Sequence, residues 1–147
     1  MNFARMQVDD VAEVLAIEQA VFPWPWSRGN FLDSLASGYE AWVVRDAEQV
    51  LLGYLLVMMV LDEAHLLNIA LRTDAQGQGH GRLLMDKAVS IARGKEALTI
   101  FLEVRPSNTR AIDTYQRYGF NQVGLRKNYY PAANNSREDA VIMSLVL

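Results

Sequence analysis

The stretch Gln76-Gly77-Gln78-Gly79-His80-Gly81-Arg82 sets three glycines at alternate positions. It lies between an apolar, strand-like run (Leu66 to Leu71) and a helix-like run (Leu83 to Arg93). Glycine leaves the main chain bare, so neighbouring N–H groups can converge on an anion, and the positive end of the following helix dipole points the same way. That pattern is a phosphate cradle. A P-loop requires Gly-x4-Gly-Lys-Ser/Thr, and no Lys-Ser/Thr follows these glycines. A dinucleotide fingerprint requires Gly-x-Gly-x-x-Gly, and counted from Gly77 its last glycine would fall on Arg82. Together with a glutamate (Glu103) and a tyrosine (Tyr115) farther along, the cradle makes the chain a candidate for acyl transfer.

Composition narrows the choice. There is no cysteine, so disulfides, thiolate metal sites and cysteine nucleophiles are excluded. His65 and His80 are the only histidines, too few for a His-based metal site, and no metal is expected. The net charge is −3 with both signs interspersed, which gives no basic stripe for nucleic acid. The first ten residues hold no apolar signal core, and the longest greasy run, Val50 to Leu61, is too short to span a bilayer. The expectation is a soluble, cytoplasmic protein whose residues 1–147 form one domain.

Several elements must position these residues. Asp9-Asp10 is expected to cap a helix with the apolar stripe Val11, Val14, Leu15 and Ile17. Pro23 and Pro25 must break it, and Ser27 caps a second helix that ends at Gly38. Strands are expected over Ala41–Val44, Val50–Leu61 and Ala64–Arg72, followed by the glycine loop and a helix with Gly94 at its C-cap. In the strand Ala97–Val104, alternation puts Leu98, Ile100, Leu102 and Val104 on one face and Thr99, Phe101 and Glu103 on the other. A helix over Asn108–Tyr118, closed by Gly119-Phe120, precedes two strands, Phe120–Tyr130 and Ala140–Leu147, joined by a polar loop from Pro131 to Asp139. This order predicts a mixed α/β fold: one sheet flanked by helices.

Five motifs carry a resemblance. The spacing Gln76-x-x-Gly79-x-Gly81 resembles the pyrophosphate loop of the GNAT acetyltransferase superfamily. Leu102-Glu103-Val104-Arg105-x-x-Asn108, followed by Ala111-x-x-x-Tyr115-x-x-x-Gly119-Phe120, is similar to its strand-helix element. Phe22-Pro23-Trp24-Pro25-Trp26-Ser27, Asn128-Tyr129-Tyr130-Pro131 and Arg137-Glu138-Asp139-Ala140 look like the RimI-type ribosomal-protein alanine N-acetyltransferases. The resemblance implies a mostly antiparallel GNAT sheet, splayed at the cofactor cleft, with acetyl-CoA as cosubstrate. It implies Glu103 as general base and Tyr115 as general acid. Ile69, Ala70 and Leu71 would pair their backbone with the pantetheine arm, residues Gln76, Gly77, Gln78, Gly79, His80, Gly81 and Arg82 would hold the pyrophosphate, and Asn108 would bond the cofactor near its reactive end. Trp26, Tyr129 and Tyr130 would hold the acceptor, the N-terminal alanine of a small-subunit ribosomal protein. Many superfamily members have Arg where Gln76 stands here, which removes one cationic contact from the loop.

The chemistry is coherent on its own terms. An α-amino group has a pKa of about 8, so the neutral form at pH 7 costs about 1.4 kcal/mol, whereas a lysine amine near 10.4 costs about 3 kcal/mol more. A carboxylate can take the ammonium proton, directly or through water, and a phenol can protonate the departing thiolate. Acetylation of a lysine or a small-molecule amine, or coenzyme A binding without catalysis, stand as alternatives on the same scaffold.

Overall fold

The computed structural model describes all residues from Met1 to Leu147. In chain order the elements are β1 (Asn2–Arg5), α1 (Val11–Val21), α2 (Arg28–Ala36), β2 (Glu40–Arg45), β3 (Leu51–Val60), β4 (Glu63–Leu71), α3 (His80–Gly94), β5 (Thr99–Val104), α4 (Thr109–Tyr118), β6 (Asn121–Pro131) and β7 (Arg137–Val146). The strands form one mixed, mostly antiparallel sheet in the order β1-β2-β3-β4-β5-β7-β6. By internal contacts the chain divides into two units, Met1–Met58 with Leu67–Ile91, and Met59–Leu66 with Ala92–Leu147.

In the first unit the expected stripe of α1 is buried at Val11, Val14 and Ile17, which join Met6, Phe31, Val43, Tyr54, Leu56 and Ala70 in the core. Each fully buried Val, Leu or Phe removes enough apolar surface to stabilise by about 1.5–3 kcal/mol. The expected cap at Asp9-Asp10 takes another form. A 3-10 turn over Val8–Asp10 precedes α1, and Asp10 Oδ2 reaches back to accept from the Gln7 N–H at 2.7 Å. Ser27 caps α2 as expected, its Oγ accepting from the Asn30 N–H at 3.2 Å. The sequence pattern held no sign of β1, which pairs antiparallel with β2 from Asn2↔Arg45 to Arg5↔Trp42. Only Phe3 of its four residues is even half-buried, so ladder hydrogen bonds make this strand and apolar alternation does not.

In the second unit Glu63–Leu66 of β4 runs parallel to Thr99–Leu102 of β5. Strand β5 alternates from Thr99 onward, with Ile100, Leu102 and Val104 buried and Thr99, Phe101 and Glu103 half-buried, but Leu98, expected on the buried face, lies before the strand and is exposed. Helix α3 does not end on a glycine cap. Ala97 N–H donates to Ala92 O and Glu96 N–H to Arg93 O, a Schellman pair that puts Glu96, not Gly94, in the left-handed region at φ 63°. The loop expected over Pro131–Asp139 is shorter, because Arg137 and Glu138 pair with Pro131 and Tyr130 at the end of the β6–β7 hairpin. These polar residues read as loop because β6 is almost wholly exposed and its ladder needs no apolar face.

Candidate active site

The glycine loop begins where β4 ends. A 3-10 turn over Thr73–Ala75 leads to Gln76, and α3 starts at His80. Gly77 and Gly79 sit at φ 75° and 83°, where any L side chain is strained, and a Cβ at either would project into open space. The main chain here is therefore both left-handed and approachable. The first N–H groups of α3 (His80, Gly81, Arg82) lack intrahelical acceptors by helix geometry and supply the dipole's positive end. The two glutamines brace the loop. Gln76 Nε2 donates to Leu71 O at 3.2 Å and Gln78 Nε2 to Asp74 O at 3.0 Å, while the Gln76 N–H is spent on Thr73 O. This arrangement fits a diphosphate held by backbone N–H groups, with the glutamine side chains setting the loop's shape.

Upstream, Ala70 and Leu71 are buried and Ile69 is half-buried. Gly53 on β3 governs their approach: a Cβ there would lie 2.5 Å from Ala70 O and 2.9 Å from Leu71 Cδ2. Nothing in the sequence singles Gly53 out, because the need for it comes from a neighbouring strand. Trp26 lies in the link between α1 and α2. Its N–H donates to Glu18 Oε2 at 2.9 Å, and its ring packs 5.1 Å from that of Phe31.

The acid and the phenol belong to the second unit. Strand alternation turns Glu103 away from the core, opposite Ile142 of β7. Its Oε2 is buried and accepts no hydrogen bond, and Arg126 Nη1 on β6 lies 3.8 Å from it. A buried carboxylate oxygen with unused lone pairs is costly, and it is what proton abstraction requires. Tyr115 is placed by the end of α4. Phe120 N–H donates to Tyr115 O at 3.0 Å, Gly119 takes φ 126°, and the two rings pack at 5.9 Å, the contact expected across a Schellman cap. Burial pushes the Tyr115 phenol up to about 12.

Tyr130 joins them. Burial, and next the charge of Glu103, push its phenol well above the ordinary value; Tyr129 and Tyr115 add to the rise and Arg105 opposes it. Its ring meets that of Tyr129 edge-on at 4.9 Å and lies 4.4 Å from the Arg105 guanidinium. Between Arg126↔Ala140 and Tyr130↔Glu138 strand β6 carries more residues than its partner. That irregularity, with Asn128 at φ 53° and its N–H held by Asp139 Oδ1, aims the tyrosine pair. Arg105 Nη1 donates to Pro131 O at 2.6 Å and Glu138 Oε1 at 3.3 Å, and Glu138 also accepts from Ser107 N–H and Oγ. This clasp ties the hairpin to the start of α4, and its donors hold the Glu138 carboxyl below the usual range, Ser107 foremost. Asn108 caps α4, its Oδ1 accepting from the Ala111 N–H at 3.2 Å.

No group of three or more His, Asp or Glu side chains is arranged to hold a metal, and no helix is long and apolar enough to cross a membrane. A groove of about 540 Å³, lined by Glu13, Ile17, Val50, Arg72 and Asp74 among others, contains none of the expected site residues. Comparison with known proteins gives a consistent picture. The profile of the acetyltransferase (GNAT) family matches residues 11–120. The chain is 37% identical to the ribosomal protein bS18-alanine N-acetyltransferase of Haemophilus ducreyi, over 94% of either chain. It is 36% identical to the Escherichia coli protein of that name, over 98% of this chain and 96% of the other. The crystal structure of the E. coli ribosomal-protein-S18-alanine N-acetyltransferase superimposes with a TM-score of 0.88 at 34% identity, covering 99% of this chain and 92% of that one.

Proposed function

Since the chain belongs to the acetyltransferase (GNAT) family, we propose that it transfers acetyl from acetyl-CoA to the N-terminal α-amine of an alanine on a small-subunit ribosomal protein, by direct attack of the amine on the thioester. The observation that carries the reading is Glu103, whose buried Oε2 has no hydrogen-bond donor of its own. Glu103 takes the proton from the incoming ammonium, directly or through water. Tyr115 keeps its proton at physiological pH and gives it to the departing thiolate. The N–H groups from Gly77 to Arg82 hold the diphosphate, with Gln76 and Gln78 bracing them. The backbone of Ile69, Ala70 and Leu71 pairs with the pantetheine arm, and Asn108 bonds the cofactor near its acyl end. Trp26, Tyr129 and Tyr130 hold the acceptor. Residues 1–147 act as one domain, a reading supported by β4 and α3, each of which begins in one unit and ends in the other. The alanine and the ribosomal protein rest on what the relatives' names state. The site has no need of metal or nucleic acid, and the chain works in the cytoplasm.

The test is a peptide panel beginning with Ala, Ser, Met or Lys, incubated with acetyl-CoA and read by mass spectrometry for the modified nitrogen. Acetyl on the α-amine, fastest for Ala, is the expected result. Acetyl confined to lysine side chains would overturn the reading.

A further inference from the structure

We infer that Glu18 is a positioning residue for the acceptor, holding Trp26 at a fixed distance from strand β4. Glu18 is 2% exposed, and glutamate is almost never so buried without a reason. Both of its oxygens are committed. Oε1 accepts from the Tyr54 hydroxyl at 2.6 Å and from Asn68 Nδ2 at 2.8 Å, and Oε2 accepts from the Trp26 N–H at 2.9 Å. All three donors are neutral, so the carboxylate's desolvation is offset by hydrogen bonds without a paired cation. An apolar side chain would fill the space at lower cost if packing were the only demand.

The donors come from three separate places. Trp26 lies in a link whose two prolines rule out a helical ladder, Tyr54 is on β3, and Asn68 is on β4 just before Ile69. The tryptophan ring is secured as well, since it packs on Phe31, which meets Tyr54 edge-on at 5.8 Å. The circuit Trp26–Phe31–Tyr54–Glu18–Trp26 closes on itself. It fixes both the backbone and the ring of Trp26 and touches none of the residues assigned to the chemistry.

The inference rests on Trp26 contacting the acceptor, and its test separates the two. Steady-state kinetics with an Ala-starting peptide compare the intact wild-type chain with Tyr54→Phe, with Glu18→Asp, and with Glu18→Leu combined with Tyr54→Phe. Glu18→Asp keeps the charge but draws the carboxylate one methylene back from Trp26. The combined variant removes the carboxylate without stranding a tyrosine hydroxyl. Both are expected to raise the peptide KM, the combined variant by about tenfold or more, with kcat within about threefold and acetyl-CoA affinity unchanged. Tyr54→Phe alone keeps the ring contact with Phe31 and the Trp26 bond to Glu18 but removes one of the three donors, so it is expected to raise KM by less than the combined variant. Should the combined variant fail to fold, Glu18→Asp decides. A wild-type KM in the folded Glu18 variants, or a joint fall in kcat and acetyl-CoA affinity, overturns the positioning role. A wild-type chain that leaves the peptide's α-amine unmodified refutes the functional reading itself, and this inference with it.

Discussion

Glu103 and Tyr115 reach their places by different physical routes. Strand alternation turns Glu103 out of the core, whereas a helix cap fixes Tyr115 against Phe120. Glu103→Gln removes the proposed proton acceptor and Tyr115→Phe the proposed donor, so each is expected to lower kcat by about a hundredfold or more, with acetyl-CoA affinity within about twofold by calorimetry. Unchanged turnover in both would refute their roles. The pH profile carries a separate signature. A phenol at about 12 stays protonated through the working range, so kcat should show no alkaline fall assignable to Tyr115 below about pH 11. Because that pKa is raised on folding, the stability it contributes is fully present below about pH 10 and is lost as pH rises through about 12. An alkaline limb near pH 9 that vanishes in Tyr115→Phe would contradict this. Alternation made the face of Glu103 legible in the sequence. The inward use of the Gln76 and Gln78 amides was not, because a glutamine's partner is set by the loop's path and not by its own position.

At the scale of elements, two backbone positions lend themselves to measurement. Glu96 holds a left-handed conformation that glycine adopts without strain, so Glu96→Gly should stabilise the protein by about 0.5–1 kcal/mol in urea melting. Destabilisation would show that the Schellman turn at the end of α3 is not formed. Gly53 is the opposite case. A methyl there meets the Ala70 carbonyl, which is backbone and must move, so Gly53→Ala should cost about 1–3 kcal/mol and weaken acetyl-CoA binding. A cost in stability with wild-type affinity would separate Gly53 from the cofactor strand. Most helices and strands were legible because their periodicity and punctuation agree, as in α2 between Ser27 and Gly38. Strand β1 and the Arg137–Glu138 pairing were hidden, since an exposed edge ladder is specified by its partner's hydrogen bonds and leaves no apolar rhythm. Gly94 misled for a related reason: a glycine near a helix end marks a cap only if the chain turns there, and it turns two residues later.

For the molecule as a whole, the proposed reaction asks the chain to position a cosubstrate and an amine, and a chain without cysteine offers no thiol nucleophile for a covalent intermediate. Motif order along nearly the full chain made the family legible, because several spaced motifs must agree at once. The tertiary supports at Glu18 and Gly53 were not legible, because each is defined by neighbours distant in sequence. The proposed reaction depends on the bare backbone of the glycine loop securing the cosubstrate by its diphosphate. Isothermal titration of the purified chain with acetyl-CoA and, separately, with S-acetylpantetheine, which carries the same acyl arm without the diphosphate, isolates that grip. The account predicts saturable heat with acetyl-CoA and binding at least about a hundredfold weaker without the diphosphate. Equal affinity for the two, or no heat from acetyl-CoA at millimolar concentration, would contradict it.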